Sequence, residues 1–356
     1  MRATILGLLF GAVGGLVCWL ANMPAPWLAG SMIAGVIAVF SGAPLGMPNW
    51  LKGLSFIFLG IQTGTSVSWD TVDRAARWPL SIALLLLTVV AVTWGCARFY
   101  VRRRNWDGPT ALFASLPGAL SLVLLLASAT TADMRRVTIA QCIRLFFLVA
   151  ALPTLISLLS PAEVLQLPPP TIESVGELLL VIAVATVAGL AFERLGVPAG
   201  LMLGPMLASA ALELSGLTRG AAPMSVLIPA NVVLGVMIAE RFKGFSLAEL
   251  RMALSEGFSG FLIALVIAMA GAGVASAVAD LPFALTLLAF SPGGLDAMTI
   301  MAFALNLDPA YVGAHQMARY LALALLMPLA TAYVLQRMGA HVNVTSARTP
   351  SKLEDR

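Results

Sequence analysis

The sequence predicts an all-α polytopic membrane protein built from two inverted repeats, and three observations carry that prediction. Apolar residues fill 60% of the 356 positions and charged residues only 11%, against ~25% charged in a soluble domain; the mean hydropathy is +0.94. The charges gather in short runs, such as Arg102-Arg103-Arg104 and Arg241 to Arg251, between long apolar stretches. Those stretches approach the ~20 residues a helix needs to cross a ~30 Å hydrocarbon core. Finally, Pro, Gly, Asp, Gln and Arg positions of the first half recur in the second at a nearly constant offset, the mark of a duplication.

An offset of 174 residues lays Pro24 on Pro198, Ala25 on Ala199, Gly30 on Gly204 and Met32 on Met206. At 175, Gly60 falls on Gly235, Pro117-Gly118 on Pro292-Gly293, and Leu120 on Leu295. The same offset pairs Asp133 with Asp308, Val137 with Val312, Gln141 with Gln316, Arg144 with Arg319, and Pro153 with Pro328. Membrane helices share leucines by default; matched polar and helix-breaking residues have no such trivial cause.

Each half shows six apolar segments, near 4–21, 26–41, 51–66, 78–97, 109–130 and 137–158, then near 177–192, 199–214, 223–240, 257–278, 282–306 and 312–335. Arg2 followed by an apolar run has the look of a signal peptide, but its counterpart at 177–194 assigns it to the fold. The expected organisation is repeat 1 at 1–158, an external linker at 159–176, repeat 2 at 177–338, and a polar, disordered cytoplasmic tail at 339–356.

Charge sets the expected orientation. Arg98 to Arg104, Arg241 to Arg251 and the C-terminal tail are rich in Lys and Arg, whereas 159–176 carries only Glu163 and Glu173. The basic runs belong inside and the linker outside. Arg74 and Arg77, offset by Asp70 and Asp73, and Arg219 are exceptions. Twelve spanning helices would put the linker and the tail on one side. If the fifth segment of each half is instead re-entrant, each half crosses five times and the two halves are inverted. Both fifth segments are broken, at Leu116-Pro117-Gly118-Ala119 and Ser291-Pro292-Gly293-Gly294. Proline removes a backbone donor and glycine permits a reversal. A kinked spanning helix is the alternative. Inverted repeats with broken helices meeting at mid-membrane are the architecture of secondary transporters. A bacterial inner-membrane location, with both termini cytoplasmic, is the matching expectation.

The polar residues inside these segments are the candidate site. Gln141, Arg144, Gln316 and Arg319 form a matched polar set in the sixth segments, and each arginine sits about two turns in, where it is costly unless paired or facing a cavity. Together with Pro117, Gly118, Pro292, Gly293 and Gly294 they outline a site that favours an anion, because half-helices starting after the breaks aim unsatisfied N–H groups at it. The expected substrate is a small solute with a carboxylate or similar group. The competing role for both arginines is to brace the hairpins by bonding loop carbonyls. Asp296, with Ser121 at the matching first-half position, is a candidate to couple a proton or cation, or a partner for Arg144 or Arg319. Asp133 and Asp308 fit helix N-caps.

Other features take structural readings. Gln62 and Asn231 are expected as interhelical glue, and Gly7, Gly11 and Gly15 as a close-packing face with a homodimer seam as one use. Trp27, Trp50, Trp69, Trp78 and Trp106 fall near segment ends, as interfacial anchors do. Cys18, Cys96 and Cys142 have no C-x-x-C spacing and read as packing residues. The basic pI of about 9.2 is explained by loops held at the cytoplasmic surface; no soluble basic domain exists to bind nucleic acid.

The two Asp-x-x-x-Val-x-x-x-Gln-x-x-Arg runs, the Pro-Gly breaks and the paired Pro-x-x-x-x-x-Gly-x-Met motifs resemble the AbrB duplication family of bacterial inner-membrane proteins, over roughly residues 4 to 336. The family is unrelated to the small DNA-binding protein that shares its name. Its members are labelled ammonia monooxygenase, regulator of gene expression, or transporter. An oxygenase needs imidazole and carboxylate clusters; this chain has two histidines, His315 and His341, and His315 matches Ala140. The resemblance therefore implies a transporter, or a membrane regulator without a DNA-reading module. No enzyme activity and no resident cofactor are expected, beyond a coupling proton or cation.

Overall fold

The computed structural model describes residues 2–75, 78–118, 120–128, 130–160, 174–197, 199–218, 220 and 222–337, without the side chains of Asp70, Arg74, Ser121, Leu122, Asp296 and 327–337. The expected 159–176 linker and 339–356 tail fall largely or wholly outside that description. The described chain is all-helical, and six of its helices are long and apolar enough to cross a membrane.

In the first repeat the helices are α1 (Arg2–Leu20), α2 (Pro26–Phe40), α3 (Asn49–Gly64), the short α4 (Trp69–Arg74), α5 (Trp78–Arg104), α6 (Gly108–Ser115), α7 (Leu120–Ser128) and α8 (Met134–Leu159). The second repeat has α9 (Val175–Arg194), α10 (Gly200–Leu214), α11 (Met224–Ala239) with a 3-10 turn at Glu240–Phe242, α12 (Leu247–Ala279), α13 (Phe283–Phe290), α14 (Leu295–Ala304) and α15 (Pro309–Arg337).

The repeats do not form separate bundles. One bundle packs α1 on α2 and α9 on α10, then joins them by α2 against α11 and α3 against α10 and α11. The other combines α5, α8, α12, α15 and the short helices α6, α7, α13 and α14, with α5 lying on α12 and α15. Each bundle thus draws on both halves of the chain.

Equivalent helices meet across this arrangement, and their direction identifies its symmetry. α5 and α12 are counterparts at the 175-residue offset. Thr88 lies against Gly271, Gly95 against Ile263 and Ile267, and Tyr100 against Gly260, while Cys96 Sγ–H donates to Gly260 O at 3.5 Å. Rising numbers on α5 meet falling numbers on α12, so the counterparts run antiparallel. The repeats are inverted.

The fifth segments are hairpins rather than kinked spanning helices. A helix of 8 or 10 residues rises only about 12–15 Å, and these four helices have 8, 9, 8 and 10 residues. Asp133 N–H, beyond the end of α7, donates to Thr110 Oγ1 at the start of α6 at 2.8 Å. The chain has therefore returned to the level at which it entered. In the second repeat, Ala289 of α13 lies beside Gln316 of α15, Gly293 beside Arg319, and Thr299 of α14 beside Gly313. α13 runs with α15, and α14 runs back against it.

Several packing expectations change. Gly7, Gly11 and Gly15 are not an outer seam: they pack inward on Met47, Val232, Val236 and Trp27, while Leu9, Val13 and Val17 point outward from α1. Trp106 is not an interfacial anchor; it is buried and stacked on Tyr100 with ring centroids 4.4 Å apart. Trp50 and Trp69 are exposed, as anchors are. Gln62 Oε1 accepts from Ala222 N–H at 2.8 Å and so joins α3 to the approach of α11. Asn231 instead donates to Leu227 O of its own helix. α2 and α10, at 15 residues each, rise about 22 Å and begin from Ala25 and Ala199, two matched residues in the left-handed region at φ 51° and 53°.

The basic runs of both repeats collect on one face. Arg104 Nη2 donates to Ser255 O, and Arg135 pairs with Glu249 while donating to Gly244 O. The end of α5 and the starts of α8 and α12 therefore share a level.

Candidate substrate site between two hairpin tips

Bending a chain back at membrane depth strands backbone carbonyls that have no helical partner, and each must be satisfied by protein or water. α8 and α15 supply the donors. Asp133 begins α8 by accepting from the N–H groups of Arg135 and Arg136. Asp308 does the same for α15 with Ala310 and Tyr311. Both are the N-caps their positions suggest. From these fixed starts, Arg144 and Arg319 stand ten or eleven residues along, roughly 15 Å of helix, a length that matches half of a ~30 Å hydrocarbon core.

The two tips are held alike. Gln141 Nε2 donates to Phe113 O at 2.9 Å and to Leu116 O at 3.4 Å. Arg144 donates to Leu116 O at 2.8 Å, and to Ala114 O and Ser115 O at 3.4 and 3.5 Å. Its Nη2 also donates to Gln141 Oε1 at 3.0 Å. In the second repeat, Gln316 Nε2 donates to Ala289 O at 3.1 Å and Ser291 O at 3.4 Å. Arg319 donates to Ser291 O at 2.7 Å, to Gly293 O and to Gln316 Oε1. Leu116 and Ser291 are themselves counterparts, so one carbonyl in each repeat anchors the same Gln-x-x-Arg pair. Both arginines brace their hairpins. Both are also nearly fully buried, at 6% and 2% exposure, and among the described residues neither forms an ion pair with a carboxylate.

Between the tips lies a cavity of about 380 Å³, within the range of ligand pockets. Of the residues expected from the sequence, Gly118, Gln141, Arg144, Pro292, Gly293, Gly294, Gln316 and Arg319 line it together. Pro117 is buried beside Gly118 and is not among the lining residues. The side chain of Asp296 lies outside the described residues. The sequence reading missed the opposite wall, which comes from the other bundle: Phe56 of α3, the start of α10 at Ala199, Leu201 and Met202, and Arg241. The matched Pro-Ala pairs before α2 and α10 were the available signal for that wall. From the sequence, Arg241 reads only as an orientation signal.

The electrostatics are one-sided. Gly294 and Ala199 cap α14 and α10 without a side-chain bond, and the starts of both helices line a cavity to which three arginines also contribute. Partial positive charge at helix N-termini favours an anion. Among the described residues no three His, Cys, Asp or Glu side chains converge. His315 is engaged elsewhere: its Nδ1 faces Tyr311 O at 2.8 Å, and because a carbonyl only accepts, Nδ1 is the donor. Its Nε2 lies 2.8 Å from Ser81 Oγ, tying α15 to α5.

A family model described as "Transition state regulatory protein AbrB" matches residues 27–335. The chain belongs to the AbrB family. Two similar proteins match over a comparable share of the chain. One, named "Putative regulator AbrB", from Escherichia coli (strain K12), is 30% identical over 324 residues, covering 88% of this chain and 91% of its own. The other, "Uncharacterized protein YhjN" from Bacillus subtilis (strain 168), is 24% identical over 342 residues and 89% of each chain. AbrB-family membership therefore covers both hairpins and both Gln-x-x-Arg pairs.

Proposed function

We propose that this AbrB-family protein is a secondary transporter of a small anionic solute, bound between the two hairpin tips. The observation that carries this reading is the single cavity on which two inverted repeats place matching Gln-x-x-Arg pairs, with cationic groups and helix N-termini around it. Inverted repeats that hold a site near the midplane are suited to alternating access. A coupling proton or cation drives the cycle, and the chain is not an enzyme. The decisive measurement is flux of labelled organic anions into liposomes containing the purified protein. Uptake that collapses when ion gradients are dissipated supports the reading; binding without flux would leave a membrane-embedded regulator, the role the name of the E. coli relative suggests.

The proposed setting is a bacterial inner membrane, multi-pass, with the arginine-rich face and both termini in the cytoplasm. In a background lacking Cys18, Cys96 and Cys142, Trp69→Cys is expected to react with an impermeant maleimide in intact cells. Arg103→Cys is expected to react only after permeabilisation. The reverse pattern would turn the molecule over.

A further inference from the structure

The three guanidiniums of the cavity are not equivalent. Arg144 and Arg319 commit both Nη groups to tip carbonyls and to their own glutamines; they contribute positive potential but keep fewer free donors than an unengaged guanidinium. Arg241 lines the same cavity, and its guanidinium has no hydrogen bond or ion pair among the described residues. The adjacent carboxylate does not serve it. Glu240 accepts from Met47 N–H and pairs with Lys52 at 2.9 Å and Lys243 at 3.7 Å. The backbone beneath Arg241 is held, since Cys142 Sγ–H donates to its carbonyl. Arg241 stands half-buried where the basic run meets the cavity, no carboxylate serves it among the described residues, and a solute carboxylate would supply that counter-charge.

The remaining wall is mostly apolar. Phe56, Leu145, Leu201, Met202 and Met317 reach the cavity from both bundles. Besides the arginines, the polar lining consists of Gln141, Gln316, Tyr320 and the starts of α10 and α14; a second carboxylate set against the apolar side chains would be an unpaired buried charge, at a cost of several kcal/mol. We infer that Arg241 receives the solute's one carboxylate, and that the solute is a monocarboxylate with an apolar body rather than a hydrophilic di- or tricarboxylate. This rests on the cavity being the solute site of the preceding reading.

Hexanoate and phenylacetate are suitable probes, with citrate as the polyanion. Calorimetry on the purified full-length protein in nanodiscs is expected to show binding of both monocarboxylates and none of citrate. Arg241→Gln is expected to weaken hexanoate binding roughly 30-fold, the loss of charge-assisted hydrogen bonds. Arg241→Lys is expected to restore part of it, with the melting temperature unchanged in both variants. Wild-type affinity in Arg241→Gln overturns the role of Arg241, and so does a loss that Lys does not relieve. Tighter binding of citrate, or no binding of either monocarboxylate, overturns the solute class. The same probes in liposomes separate this inference from the transport reading: binding that depends on Arg241 without flux removes the transporter and keeps the site.

Discussion

Arg319→Gln is expected to leave the protein in the membrane but to release the second hairpin tip and abolish flux. Two opposing effects decide this. Removing a nearly buried cation relieves a desolvation cost of several kcal/mol, so insertion and accumulation are preserved. At the same time Gly293 O and Gln316 Oε1 lose their donor and Ser291 O keeps only the 3.4 Å bond from Gln316, and each buried acceptor left unsatisfied costs about 1–3 kcal/mol. The glutamine reaches one of the three at most. A net local cost of about 3 kcal/mol lowers the ordered tip population roughly 100-fold. Two measurements check it: flux in proteoliposomes, and the maleimide reactivity of a single Gly294→Cys reporter, which should rise sharply. Arg319→Lys should not rescue, because one ammonium cannot reproduce a planar fork bonded to two carbonyls and an amide. An unreactive tip would sink the idea; so would a variant that fails to accumulate, which would make the arginine a requirement of the whole fold.

The second large effect is steric. α1 and α2 cross with Gly14 and Gly30 face to face, and a Cβ on Gly30 would lie 2.2 Å from Gly14 O. That obstacle is backbone, so no rotamer change relieves it and the helices must separate. Small residues at such crossings let membrane helices gain packing energy where no hydrophobic drive exists. Gly30→Val is expected to cost at least about 3 kcal/mol, the upper range for overpacking, with a lower melting temperature in detergent and reduced yield. Gly273→Ala is the control: its Cβ would meet nothing within 4 Å, and alanine favours a helix over glycine by up to ~1 kcal/mol. Equal melting of Gly30→Val and wild type would contradict the crossing.

How much of this was legible beforehand depended on whether a residue's role is local in sequence. The hairpins could be read because Pro117-Gly118 and Pro292-Gly293 break their segments in place, and the duplicated offset doubled the signal. The Gln-x-x-Arg pairs could be read for the same reason. Bonding of the arginines to loop carbonyls was one of two readings; that the carbonyls are those of Leu116 and Ser291 was not legible, since it depends on how α8 and α15 approach the tips. Arg241 and Phe56 were illegible as wall residues because they come from the other bundle, and no sequence period reports which bundle faces which. The Gly7, Gly11 and Gly15 stripe was correctly read as close-packing, yet periodicity does not say whether the partner helix is internal or belongs to another copy. Trp106 failed similarly: a position near a segment end suggests an interface, but Tyr100 had already provided a buried stacking surface.

The antiparallel contact of α5 with α12 also bears on ancestry. Before a half-length chain was joined to its copy, it could complete this fold only by meeting a second molecule inserted the other way up, with its α5 pairing head to tail against the partner's. A single half-length chain that met itself in this way would need to insert in both orientations, which a strong charge bias opposes. The basic runs that now crowd one face, contributed at different points of the two halves, are the kind of change that fusion permits: once each half has a permanent orientation, its loops are free to diverge in charge while the buried Gln-x-x-Arg pairs stay alike.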